Sequence, residues 1–101
     1  MTAYTILTTE AFDIWFTRLR DRSAQRRIQA RIDRMEDGNL GDWKSIGGGV
    51  AEARLAFGPG YRLYFMRRGL EVIVLLCGGD KGSQKRDIGL ALDLASTLEK
   101  E

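Results

Sequence analysis

Four residues in one short stretch are equipped for chemistry: Glu52, Arg54, Arg62 and Tyr64, within Glu52-Ala-Arg-Leu-Ala-Phe-Gly-Pro-Gly-Tyr-Arg-Leu-Tyr-Phe65. Two guanidinium forks match the oxygens of a phosphate, while a carboxylate and a phenol can accept, donate or orient protons. Whether the four act together depends on the reversal between them. Pro59 suits the second position of a tight turn and Gly60 the positive φ of a type II geometry, so a β-hairpin is predicted with Gly58-Pro59-Gly60 at its tip. Pairing Phe57 with Tyr61 around a three-residue loop sets Leu55 against Leu63, Ala53 against Phe65 and Arg54 against Tyr64. A slip by one residue would mix charged and apolar residues on each face. In the preferred register Glu52, Arg54, Arg62 and Tyr64 share one face, with Arg54 and Arg62 diagonal neighbours roughly 7 to 8 Å apart. That face is either an anion site or a solvated sheet surface on which Glu52 neutralises Arg54 and Tyr64 stacks on a guanidinium.

A second polar group lies downstream. Gly78-Gly79-Asp80 leads into a helix whose apolar stripe is Ile88, Ala91, Leu92, Ala95 and Leu98, and stepping that stripe back reaches Gln84 or Lys85 and then Lys81. A helix start offers free amides and the positive end of the dipole, so Lys81, Gln84 and Lys85 can complete an anion site. Alternatively, Asp80 is an N-cap and the lysines are solvated. A third feature is charge. Residues 18 to 34 hold seven arginines (18, 20, 22, 26, 27, 31 and 34) against Asp21 and Asp33, a local +5 that leaves about −3 for the rest of a chain of net charge +2. Such asymmetry suits a polyanion or an acidic protein, or is the solvated face of a helix.

The elements that must position these residues follow from periodicity. Tyr4 to Thr8 is β-prone. Thr9 caps a predicted helix with Phe12, Trp15, Phe16 and Leu19 on one side, and Asp21-Arg-Ser23 separates it from a second, with Ile28, Ile32 and Met35, that ends at Gly38. The two read as a helical hairpin. Residues 38 to 49 read as a long Gly-rich connection that matches neither phosphate-loop fingerprint, with Trp43 as a packed anchor. Leu70 to Cys77 is a nearly continuous apolar strand, which completes a three-stranded antiparallel meander with the N-terminal strand added to it. Cys77 is expected to be a buried, inert thiol. With 101 residues and 44% hydrophobic content, one domain spanning 1–101 is expected. No apolar run approaches membrane-spanning length and no leader pattern stands at the N-terminus, so a cytoplasmic protein without membrane contact is expected. With no histidine and one cysteine, no metal site or other cofactor is expected. The fold class is α+β, in the order β-α-α-β-β-β-α, a small mainly antiparallel sheet packed with a helical hairpin and a C-terminal helix.

The motif Glu52-x-Arg54 with Gly58-Pro-Gly-Tyr-Arg-x-Tyr-Phe65, and the motif Gly78-Gly-Asp-Lys-x-x-Gln84-x-x-Asp87-Ile-x-x-Ala91, resemble the RelE/ParE superfamily of bacterial toxin-antitoxin modules. Within it, the chain is most similar to the HigB-type addiction module killer proteins, from about Phe12 to Leu94 and including Gly38-Asn39-x-Gly41-Asp42. The resemblance implies a RelE-like fold and a toxin neutralised by a cognate antitoxin of helix-turn-helix type. It implies either a metal-independent endoribonuclease acting on mRNA at the ribosome or a non-enzymatic inhibitor of DNA gyrase. For the nuclease, Arg54 and Arg62 are assigned to the phosphorane and Lys81 to the phosphate or to proton acceptance. Glu52 is the competing base and Tyr64 a stacking or proton-transfer group. Gln84, Lys85, Arg27 and Arg31 are the RNA- and phosphate-binding candidates, and the helix bearing Arg26, Arg27, Arg31 and Arg34 would meet ribosomal RNA.

Overall fold

Each turn of the chain is made where the residue chemistry demands it. The computed structural model describes residues 3–100. After strand β1 (Thr5–Thr8), the Thr9 hydroxyl accepts the Phe12 amide and starts helix α1 (Glu10–Thr17). Asp21 then caps helix α2 (Arg22–Glu36) by accepting from the Ser23 and Ala24 amides. Strands β2 (Trp43–Gly47), β3 (Val50–Arg54), β4 (Arg62–Arg68) and β5 (Val72–Gly79) follow, and a single 3-10 turn (Lys81–Ser83) opens helix α3 (Gln84–Glu99). The sheet order is β1-β5-β4-β3-β2, with β1 parallel to β5 and every other pairing antiparallel. The protein is thus a small α+β domain with a five-stranded, mostly antiparallel sheet. None of the helices among the described residues is long and apolar enough to cross a membrane.

Both faces of the sheet are covered. Ala51, Ala53, Leu55, Leu63, Phe65, Ile73 and Leu75 pack against Phe12 of α1 and Ile28, Ile32 and Met35 of α2. On the opposite face Val50, Tyr64, Met66, Val74, Leu76 and Cys77 pack against Ala91 and Ala95 of α3, flanked by Ile88, Leu92 and Leu98. The helical stripes expected from periodicity are therefore the ones that meet the sheet. Leu76 and Cys77 both reach the α3 side because β5 carries an irregularity opposite Tyr64 and Phe65. Beyond it, Gly78 passes under the Trp15 ring and Gly79 under Asp87, where neither leaves room for a Cβ.

Three expectations are corrected. The 38 to 49 connection contains a strand: Gly48 and Gly49, both at positive φ (60° and 77°), make a two-residue hairpin that joins β2 to β3 and places β2 on the sheet edge. Trp43 on that edge is 38% exposed, edge-on to Phe65, and so only half an anchor. The Glu52–Phe65 hairpin is shifted by two residues from the expected register. Arg54 pairs with Arg62, Ala53 with Leu63, and Glu52 with Tyr64. The reason is the length of the loop. Gly60 has φ 79°, as a type II turn after Pro59 requires, but Gly58 is also at positive φ and the Gly60 amide donates to Phe57 O. The chain therefore reverses over five residues, closed by Leu55 N–H to Tyr61 O at 3.0 Å. A two-residue shift preserves the faces, so the charged set stays together.

Candidate functional site

Glu52 lies in the middle of β3 on the side covered by α3, and both Glu52 and its partner Tyr64 are 0% exposed. The Tyr64 hydroxyl donates to Glu52 Oε2 at 3.0 Å and the Gln84 amide donates to the same oxygen at 2.8 Å. Gln84 is therefore the residue that the helical stripe of α3 turns inward, whereas Lys85 is exposed. Burial first, then the hydrogen bond and charge of Glu52, push the Tyr64 phenol well above its ordinary value. Tyr64 is a fixed donor here, and the solvated-face arrangement is not what forms: Glu52 bonds to Tyr64 and Gln84 rather than pairing with Arg54.

At the adjacent end of the sheet, Arg54 and Arg62 stand directly opposite each other across β3 and β4, a separation of about 4.5–5.5 Å between Cβ atoms. Both are partly exposed. The Nε donors of both are buried without a protein partner, as is Glu52 Oε1. Arg54 forms one ion pair, from Nη2 to Asp42 Oδ1 at 3.1 Å. Arg62 has no carboxylate within ion-pairing distance among the described residues. Two like charges opposed in a ladder repel, and an anion between them removes that repulsion.

Arg31 holds this end of the sheet in place. It is 5% exposed, and its guanidinium donates to Arg54 O at 2.9 Å, Asp42 O at 2.7 Å and Leu40 O at 3.0 Å. Its guanidinium is engaged by carbonyls inside the protein, unlike the exposed Arg27 and Arg34 of the same helix. Burial foremost, and then the Arg34 charge, lower its pKa, against the opposing effect of Asp42. Gly41, at φ 67°, lies on the guanidinium itself, since a Cβ there would come within 2.7 Å of Arg31 Cζ.

The other candidates separate by face. Lys81 is exposed, and its amide donates to Pro59 O at 3.4 Å, so its turn adjoins the hairpin loop. Gly79 pairs with Arg62, which places Lys81 two residues beyond the Arg54–Arg62–Gly79 row. The 3-10 turn ahead of α3 is closed on itself, because Asp80 accepts from Gly82 N and Ser83 N while the Ser83 hydroxyl accepts from Asp80 N; Ser83, at the N-cap of α3, makes no side-chain cap hydrogen bond to that helix. Arg27 lies on α2, beyond the other sheet face, with Cζ 3.9 Å from the Phe57 ring centroid. Cys77 is 2% exposed, its thiol pushed up to about 12 by burial and then by Asp87, as expected of an inert core residue. Among the described residues no group of three or more His, Cys, Asp or Glu side chains is placed to hold a metal ion.

An uncharacterized protein of Haemophilus influenzae (strain Rd) is 44% identical to this chain over 93 residues, which cover 92% of this chain and 94% of that one. The chain belongs to that protein's family. No model of a known protein family matches it.

In this family member, sequence reasoning missed Asp42 and Arg31 as the parts that position Arg54. A signal for them existed. Asp42 follows Gly41, whose positive φ and absent side chain let the loop close around an arginine that stands on the inner side of α2 at the Ile28 and Ile32 stripe. Asp87, 7% exposed and bonded by the Ser83 hydroxyl, was likewise read only as part of a motif.

Proposed function

We propose that the protein is the toxin of a type II toxin-antitoxin module, of RelE/ParE type and closest to HigB, that cleaves mRNA at the ribosome without a metal. The observation that carries this reading is the opposed Arg54–Arg62 pair, with two buried, unpartnered Nε donors beside a carboxylate oxygen in the same condition. This arrangement suits a phosphodiester better than a neutral ligand, because planar donor forks match phosphate oxygens and stabilise the added charge of a phosphorane. In the cleavage, the ribose 2′-oxygen bonds to phosphorus and gives up its proton to a base. The bond to the 5′-oxygen breaks and that oxygen takes a proton. Arg54 and Arg62 bear the phosphorane charge, and Lys81 is the exposed group able to approach the reacting oxygens. Glu52 and Tyr64, enclosed by α3, act as positioning residues. The ribosome supplies in-line placement of the message, and a helix-turn-helix antitoxin covers the basic site between episodes of activity.

The burial of Glu52 and Tyr64 favours a second reading, a ParE-like binding inhibitor of DNA gyrase that needs no exposed base. Primer extension on messages after induction separates the two. Discrete cuts within codons, lost in Arg62→Ala, are expected; intact messages with DNA damage would overturn the nuclease reading in favour of the inhibitor.

A further inference from the structure

A groove runs between α2 and the β3–β4 loop, lined by Arg27, Arg31, Arg34, Leu55, Ala56 and Phe57. Its floor is apolar and its rim is cationic. Phe57 is braced from behind by Tyr61, with ring centroids 5.5 Å apart, and Tyr61 by Trp15 at 6.3 Å. Arg27 Cζ stands 3.9 Å from the centroid of that braced ring. A guanidinium set over an aromatic ring offers its outer face to an unpaired base for stacking. Arg27 and Arg34 are two helical turns apart, roughly 10 Å along the axis, too far for one phosphate group to bridge. Neither makes an ion pair among the described residues, where Arg54–Asp42 and Arg86–Asp87 are the two present, and the nearby Asp33 is engaged by Gln29. The groove ends at Leu55, next in sequence to Arg54.

We propose that this groove binds single-stranded RNA flanking the scissile phosphate, with one base stacked on the Arg27–Phe57 pair and a neighbouring phosphate on Arg34. The inference rests on the RNA reading of the Arg54–Arg62 site and extends it to the other side of the hairpin. An acidic peptide would also meet the cationic rim. The braced Arg27–Phe57 pair and the continuity with Arg54 favour a nucleotide chain, since stacking is satisfied by a base and not by a carboxylate.

The test is fluorescence anisotropy of the full chain with a labelled 2′-O-methyl oligouridine, which cannot be cleaved, and in parallel with labelled polyglutamate. Arg27→Gln and Phe57→Ala are each expected to weaken RNA binding about tenfold, with Phe57→Trp retaining it. Arg34→Gln is expected to lower the slope of log affinity against log salt by about 0.7. Arg27 and Arg34 are exposed, so their variants report on binding even if Phe57→Ala folds poorly. RNA affinity unchanged in Arg27→Gln and Arg34→Gln overturns the proposal, as does tight polyglutamate binding with none of the RNA. Cleavage of a message on translating ribosomes is read separately: its absence with groove-dependent RNA binding intact removes the nuclease reading and leaves the groove standing as an RNA site.

Discussion

Glu52 and Arg62 lie on the same sheet face yet have opposite relations to stability. Glu52 is fully buried and accepts from two side chains. Glu52→Ala strands the Tyr64 hydroxyl and the Gln84 amide in the core and is expected to cost about 2–5 kcal/mol in urea unfolding. Arg62 is half-buried, unpaired with any described carboxylate and opposed to a like charge. Arg62→Ala is therefore expected to change stability by less than about 0.5 kcal/mol, or to raise it, while lowering RNA cleavage about 100-fold or more. A large stability loss in Arg62→Ala would mean that the arginine pair is structural. The same core predicts an alkaline limit. The Cys77 thiol rises from 9.0 to about 12 on folding and the Tyr64 phenol also rises from 10.0. Raised values favour the neutral forms in the native state, so the stability they confer is complete below pH 9. It declines as pH climbs towards 12, at about 1.4 kcal/mol per pH unit for each titrating group. Urea midpoints followed from pH 7 to 11 should be flat at first and then fall, and Cys77→Ala should delay the fall to above pH 10.

At the scale of elements, the loop before β2 is held by an arginine as well as by its own hydrogen bonds, among them Gly41 N–H to Asn39 Oδ1. Gly41 must keep φ 67° while its Cα rests on the Arg31 guanidinium. Gly41→Ala is expected to cost about 2–4 kcal/mol, from left-handed strain and loss of the clamp on the Leu40 and Asp42 carbonyls. It should also reduce cleavage more than Asp42→Asn does, because it frees the β3 end that carries Arg54. Thermal melts and cleavage assays on the two variants check this, and equal losses in both would show that the ion pair alone positions Arg54. These elements were legible in the sequence to different degrees. The helices were readable because Phe12, Trp15, Phe16, Ile28, Ile32 and Met35 repeat at helical spacing and Thr9 and Asp21 cap them. The shared face of Glu52, Arg54, Arg62 and Tyr64 was readable because strand parity survives a shift of two. The register itself was not, since Gly58 and Gly60 permit loops of either length. Strand β2 was obscured because Trp43 to Gly47 has few apolar residues, being an exposed edge, although Gly48-Gly49 before Val50 is a two-residue hairpin signal. The Arg31 clamp joins residues from three separate segments, so Gly41-Asp42 and the place of Arg31 beside the Ile28–Ile32 stripe hint at its two ends but not at the contact between them.

Considered as a whole, the molecule is polarised. Arginines at 18, 20, 22, 26, 27, 31 and 34 put a +5 segment on one side of the sheet in a chain of net charge +2, and α2 carries Arg22, Arg26, Arg27 and Arg34 exposed. Fields of this kind act on encounter before any contact forms, and they weaken beyond a Debye length of about 8 Å at physiological salt. Arg22 and Arg26 border a shallow hollow with Phe16, Gln25 and Gln29, away from both the Arg54–Arg62 row and the Phe57 groove. Reversing their charge therefore separates steering from binding. Arg22→Glu with Arg26→Glu is expected to slow association with single-stranded RNA about tenfold or more at low salt, with a dissociation rate close to that of the parent. The difference in association rate should shrink steadily as salt is raised, and the rate of cleavage at saturating RNA should be unchanged. Stopped-flow measurement across a salt series decides the point. A faster dissociation rate in the double variant would place Arg22 and Arg26 within the bound interface and extend the RNA path along the whole of α2.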